Sequence, residues 1–432
     1  MRQAFRASIA HCLSDPGERT DASAIQFIED GLLIVENGRV GAVGDYASMQ
    51  DAIGDLDVVD YSGKLIVPGF IDCHVHFPQL DIMASYGEQL LDWLNRYAYP
   101  EEAKFADRAY ADLIANAFLD QLLANGTTSA LVFGTVHAHS ADAILAAAEA
   151  RNMRLIAGKV LMDTHCPEEL RDTAKSAYRD SKALIERWQG RGRLGYAITP
   201  RFALTSTHEQ LLAAGRLAAE YPDVWVHTHL AENTAEVDAV SKRFATSRSY
   251  LDVYDSCGLV RERSVFAHCL HLDDKDRECM ASSGAAAAFC PTSNLFLGSG
   301  LFDLHAFRAA GVRVGLASDV GGGTSLSMLK TASEAYKVLH LRDQPLPAAR
   351  ALYLATLGAA QALYLDDKIG NLEVGKEADF VVLDPAGSMA SERRTAVAEN
   401  LDETLFAILM LGDDRSVTAT FIAGEKAQVP GS

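Results

Sequence analysis

Between about residues 65 and 365, short apolar runs alternate with stretches of helical spacing, and no other feature of the chain constrains its fold as much. The runs are Leu65–Phe70, Ala130–Phe133, Leu155–Leu161, Leu194–Ile198, Val224–His229, Val265–His268, Ala285–Cys290 and Val312–Ser318. Between them lie helical patterns such as Ala141–Arg151, Pro167–Trp188, His208–Glu220 and Asp303–Ala310. Apolar runs separated by helices predict parallel strands covered on both faces. Eight of them predict an α/β architecture, the (β/α)8 TIM barrel, whose usual length of about 250 residues fits the span. A doubly wound open sheet is the alternative. Its dinucleotide-binding version is excluded, because no G-x-G-x-x-G opens a helix.

The two ends of the chain follow a different pattern. Leu32-Leu33-Ile34-Val35 and Val40-Gly41-Ala42-Val43 flank Asn37-Gly38, a strong hairpin signal. Near the other end, Ala378–Leu383 stops at Asp384-Pro385, and Ser416–Ala423 alternates at period two before Gly424. These strands predict a small β-sandwich domain built from both termini. The expected division is 1–66 for its N-terminal part, 67–367 for the barrel, and 368–432 for its C-terminal part with a closing segment. Between the first two runs, Glu88-Gln89-Leu90-Leu91-Asp92-Trp93-Leu94-Asn95-Arg96-Tyr97 forms a helical, aromatic insertion, read either as a lid over a site or as a packing helix.

Composition narrows the function. With 39 Lys+Arg against 58 Asp+Glu the net charge is −19, the opposite of a phosphate-tracking surface, so no nucleic-acid partner is expected. No apolar run is long enough to span a bilayer, and the first residues lack the apolar stretch of a signal peptide. Seven cysteines with no C-x-x-C pair suit free thiols in a reducing cytoplasm rather than a disulfide framework.

Barrel enzymes carry their chemistry at the C-terminal ends of strands. There this chain places His74 and His76, His227 and His229, His268, and Asp319. Alternate residues of an extended segment point the same way, so His74 and His76 can meet one ion. Imidazole nitrogens with a carboxylate oxygen and an open position are the ligand set of a catalytic zinc. Taken singly, each has a plainer reading: a chance H-x-H, a packed core histidine for His268, a turn-opening residue for Asp319. His227, on the same strand face as His229, reads as a residue behind the ligands or as a packed one. Glu232, three residues past His229, reaches the same end of the barrel or else serves as an acid at a helix start.

These residues resemble those of the amidohydrolase superfamily, over nearly the whole chain. The likeness includes Val67-Pro68-Gly69-Phe70-Ile71-Asp72 and Gly370-Asn371-Leu372-Glu373-Val374-Gly375. Several stretches resemble the guanine deaminases within it: His76-Phe77-Pro78-Gln79, Leu90–Asn95, Thr199-Pro200-Arg201-Phe202, His227–Asn233, Cys290–Leu295 and Leu411–Arg415. One departure is Ser318 before Asp319, where Thr is more usual; the hydroxyl is kept. The resemblance implies one Zn2+ per chain on His74, His76, His229 and Asp319, with a hydrolytic water held and polarised by His268. Fe2+ suits the same donors. The superfamily's two-metal sites need a carboxylated lysine on a central strand. Arg193–Ile198 offers none, and Lys159 reads as one half of a charge pair in the barrel wall.

The implied activity is hydrolysis of guanine to xanthine and ammonia in purine catabolism or salvage, by a cytoplasmic homodimer. In it Glu232, His268 and Asp319 are catalytic, Glu232 being the acid that protonates ring N3. Gln79, Arg201, Phe202, His229, Glu232 and Asp319 contact the base. Arg suits guanine O6 and N7 because its planar fork matches two adjacent acceptors, although an Arg after a strand also pairs readily with a carboxylate. The alternative is a mononuclear amidohydrolase acting on another heterocycle: 8-oxoguanine, cytosine, an adenine-type base or a triazine. A silent barrel serving as a scaffold is disfavoured, because every ligand position is filled. Zinc deaminases of the H-x-E with P-C-x-x-C type are excluded, since neither element is present.

Overall fold

The computed structural model describes residues 2–428. The chain divides into two compact units. One runs up to Asp72 and includes Asp120–Ser129 and the described residues from Leu326 onward; the other holds Cys73–Leu119 and Ala130–Ser325.

In the first unit, strands from both ends of the chain form one seven-stranded sheet. Its spatial order is Glu425–Lys426, Val417–Ile422, Phe380–Leu383, Val58–Pro68, Arg2–Cys12, Ile25–Glu36 and Arg39–Asp45. Asn37-Gly38 closes the expected hairpin, with Glu36 opposite Arg39 and Val35 opposite Val40. Both turn residues have positive φ, 52° and 78°, as a type I′ turn requires. Phe5 and Phe421 lie on strands that are not neighbours, yet their rings sit 5.0 Å apart. The register shift between Ala7 and Ile9 bends the long first strand. The sheet thus folds over its own apolar face, around Phe5, Leu33, Ile66, Phe380 and Phe421.

Eight parallel strands follow one another around a nearly closed barrel: Phe70–His76, Thr127–Phe133, Arg154–Gly158, Leu194–Pro200, Trp225–Leu230, Ser264–His268, Ala286–Phe289 and Arg313–Leu316. Past the eighth strand, the Asp319 amide donates to the His74 carbonyl at 2.9 Å, and the His76 amide donates to the Val320 carbonyl at 2.8 Å. These bonds join the last strand end to the first strand.

One boundary differs from expectation. Leu65–Phe70 is not the first barrel strand. Leu65–Pro68 belongs to the terminal sheet, where Pro68 faces Phe380 and Leu65 faces Leu383, and the barrel strand begins at Phe70. Both segments are buried, so their apolar residues read as one run and conceal the break at Gly69. His74 and His76 consequently lie on the strand itself rather than after it.

Candidate active site

His74 and His76, alternate residues of one buried strand, share a face, and their Nε2 atoms lie 3.2 Å apart. His229, from the fifth barrel strand, brings its Nε2 to 3.1 Å from that of His76. Asp319 Oδ1 reaches His74 Nε2 at 3.0 Å and His76 Nε2 at 3.4 Å. Asp319 adopts φ 50°, turning the chain sharply so that its carboxylate points back at the histidines. The turn depends on glycine, since a Cβ on Gly323 would meet the Ser318 carbonyl oxygen at 1.8 Å.

The donor set fits one divalent cation. The His229 ring donates through Nδ1–H to the Arg201 carbonyl at 2.6 Å, which leaves a bare lone pair on its Nε2. His74 Nδ1 pairs with His227 Nε2 at 2.7 Å, so His227 stands behind a ligand position and fixes its ring, as the partners of metal-binding histidines do. Four donor atoms lie within 4.8 Å of one another. With bonds of about 2.0–2.1 Å, tetrahedral nitrogens sit roughly 3.3 Å apart, close to the spacings seen here. Burial pushes His76 down to about 3 and His229 well below the usual histidine range. Burial alone would raise the Asp319 carboxyl, but the surrounding histidines outweigh it and hold it well below the usual carboxylate range. His76, His229 and Asp319 are thus shifted toward the unprotonated state at neutral pH, the state a cation needs.

Two further groups face this cluster. His268 closes the sixth strand at φ 70° and is held through Nδ1 by Asn294 Oδ1 at 2.9 Å. Its Nε2 lies 3.4 Å from Glu232 Oε2 and 3.7 Å from Asp319 Oδ2. The Ser299 hydroxyl donates to Glu232 Oε1 at 3.1 Å. Burial, with the Asp319 charge adding to it, pushes the Glu232 carboxyl up to about 8. Glu232 therefore carries a proton at neutral pH while Asp319 does not. Two carboxyl groups pushed in opposite directions are the mark of an acid and a base in one site.

On the far side of the cavity, Arg201 Nη1 donates to Glu102 Oε2 at 2.6 Å, and Gln79 Nε2 donates to Glu102 Oε1 at 2.8 Å. The Gly321 amide donates to Gln79 Oε1 at 3.1 Å, so the orientation of that side-chain amide is fixed from both ends. Arg201 lies over the Tyr99 ring, 5.2 Å from its centroid. Phe202 joins the apolar cluster of Leu90, Trp93, Leu94 and Leu297 that covers this side. The aromatic insertion forms helix Leu90–Trp93 with a wider turn over Leu94–Ala98. It is linked to the Glu232 loop where Asn233 Nδ2 donates to Gln89 Oε1 at 3.2 Å.

One cavity is lined by His76, Gln79, Arg201, His229, Glu232 and Asp319. Glu102 went unnoticed in the sequence, as did Glu236. Glu236 accepts from the Glu232 and Asn233 amides at 3.0 and 3.2 Å and from the Tyr250 hydroxyl at 2.6 Å. Lys159 is paired with Asp172 at 2.6 Å and takes no part in the cluster.

Known proteins resemble this chain in sequence and fold. The amidohydrolase family model matches residues 65–427. The guanine deaminase of Escherichia coli (strain K12) is 51% identical over 404 residues, covering 93% of this chain and 92% of that protein. The solved structure of E. coli guanine deaminase superposes with a TM-score of 0.97 at 49% identity, covering 99% of this chain and 100% of that one. A guanine deaminase from C. acetobutylicum, solved with guanine bound in its active site, gives a TM-score of 0.91 at 26% identity, covering 99% of this chain and 100% of that one. Barrel, terminal sheet, histidine–aspartate cluster and a match across most of its length agree: this chain belongs to the amidohydrolase family.

Proposed function

We propose that the protein hydrolyses guanine to xanthine and ammonia, with one Zn2+ held by His74, His76, His229 and Asp319. Bound there, the cation would supply Lewis-acid activation of a water, lowering its pKa towards about 7. Asp319 Oδ2 and His268 Nε2, 3.7 Å apart, take up the proton that the water loses on adding to C2. Glu232 enters the reaction protonated, gives its proton to N3, and helps the amine depart as ammonia. Arg201, anchored on Glu102, turns its remaining N–H donors to O6 and N7. Gln79 and the Phe202 backbone hold another edge of the base.

The observation that carries this reading is that one cavity joins the histidine–aspartate cluster, a protonated glutamate and an anchored arginine. The similarity to guanine deaminases supports it. The test is formation of ammonia and xanthine from guanine, with and without a chelator. Activity on guanine that a chelator abolishes and Zn2+ restores is the expected result. A panel of bases in which another heterocycle turns over faster, or turnover indifferent to chelation, overturns it; Fe2+ found by metal analysis overturns only the choice of ion. The family resemblance extends the reading to a cytoplasmic homodimer in purine catabolism or salvage. It also supports 67–367 as the catalytic barrel, between the sandwich parts 1–66 and 368–432. No helix among the described residues is long and apolar enough to cross a membrane.

A further inference from the structure

The Asp319 carboxylate has two oxygens, and they face different partners. Oδ1 is turned to His74 and His76, and Oδ2 to His268. Asp319 also belongs to a second group of possible ligands, with His268 and Cys290, whose donor atoms all fall within 4.8 Å of one another. These residues come from three consecutive strand ends. His268 closes the sixth strand, Cys290 follows Ala286–Phe289, and Asp319 lies beyond Arg313–Leu316. His268 and Cys290 are fully buried. His268 Nδ1 is occupied by Asn294, while its buried Nε2 has no hydrogen-bond partner. A ring held through Nδ1 with a bare Nε2 aimed inward is poised as a ligand.

We infer that His268, Cys290 and Asp319 Oδ2 form a second cation site, specific for soft divalent ions, whose occupation blocks turnover. Cys290 sets the selectivity, because thiolate favours Cd2+ and Zn2+ over hard ions such as Mg2+. Bonds of about 2.3 Å to sulfur and 2.0–2.1 Å to nitrogen suit donors this close after a small contraction. Binding breaks the Cys290 S–H bond, forms a metal–sulfur bond and releases the proton to solvent. With Oδ1 on the first ion and Oδ2 on the second, Asp319 would bridge two cations without the lysine of the superfamily's two-metal sites. The bridged state removes from service the two atoms that take up the proton of the water, Asp319 Oδ2 and His268 Nε2. The inhibitory consequence rests on the proposed deaminase activity; the binding itself does not.

The test starts from protein loaded with one Zn2+ per chain and titrates it with Cd2+, following ultraviolet thiolate-to-cadmium charge-transfer absorbance and ammonia release from guanine. The wild type is expected to gain the absorbance of one thiolate–cadmium bond as its activity falls. Cys290→Ser and Cys290→Ala, checked for folding by thermal melting, keep their basal rate. Both lose that increment of absorbance, and the inhibitory concentration of Cd2+ or excess Zn2+ rises about 10–100-fold. Absorbance and inhibition unchanged in both variants would overturn the site, as would absence of the band in the wild type. A band that depends on Cys290 in a protein inactive on guanine would leave the site standing and remove the proposed reaction instead.

Discussion

The two sides of the cavity satisfy their polar groups in opposite ways. On the base-facing side, Glu102 accepts from Arg201 and Gln79, and Gln79 accepts from Gly321. Those groups are balanced within the protein and set before any ligand arrives. On the opposite side, histidine nitrogens and the Asp319 carboxylate crowd together with their lone pairs facing one another. That side is balanced only by a positive ion from outside. A preset recognition surface costs little to reorganise on binding, whereas an unbalanced donor cluster takes part of its stability from its ligand.

The largest expected effect separates proton delivery from ion holding. Glu232→Gln keeps one metal per chain by elemental analysis and loses about 10²–10⁴ in kcat; near-normal turnover would remove Glu232 from the chemistry. On the recognition side, Arg201→Met leaves the buried Glu102 carboxylate without its cation. It should cost about 3–5 kcal/mol in urea unfolding and cripple guanine turnover with the metal retained. Adding Glu102→Gln should recover much of the stability but none of the activity, and a single variant as stable as wild type would dissolve the pair as a unit. For the ion side, stripping the metal should lower stability by about 2.7 kcal/mol relative to protein held at a hundredfold excess over Kd, read as a fall in Tm that Zn2+ reverses. The smallest effect is the pH profile. Glu232 must be protonated, and its folded pKa is about 8, so kcat/KM declines as pH rises through that value. A flat alkaline limb would place the proton elsewhere.

How much of this could be read in the chain depends on what kind of signal each residue left. His74, His76, His229 and Asp319 were legible because residue type and strand order identify them together: few constraints besides a shared ion place such residues at successive strand ends. The edge of the first strand was not legible, since Leu65–Pro68 and Phe70–His76 are both buried and only Gly69 parts them. Glu102 was invisible for another reason. It sits in the short helix Tyr99–Ala103 beside Glu101, where an acid at a helix start needs no other explanation. Nothing local connects position 102 with position 201, because that pairing exists only once the insertion folds against the barrel mouth.

Glu102 also bears on how the pocket can change. Because one carboxylate anchors both an arginine and a glutamine, an exchange at any of the three leaves the others mismatched. A lineage or a designer seeking a new substrate must therefore alter the trio together or pass through unstable intermediates. The opposing donor cluster can trade one ion for another without touching the trio, so acquiring a different metal should be an easier step than acquiring a different base.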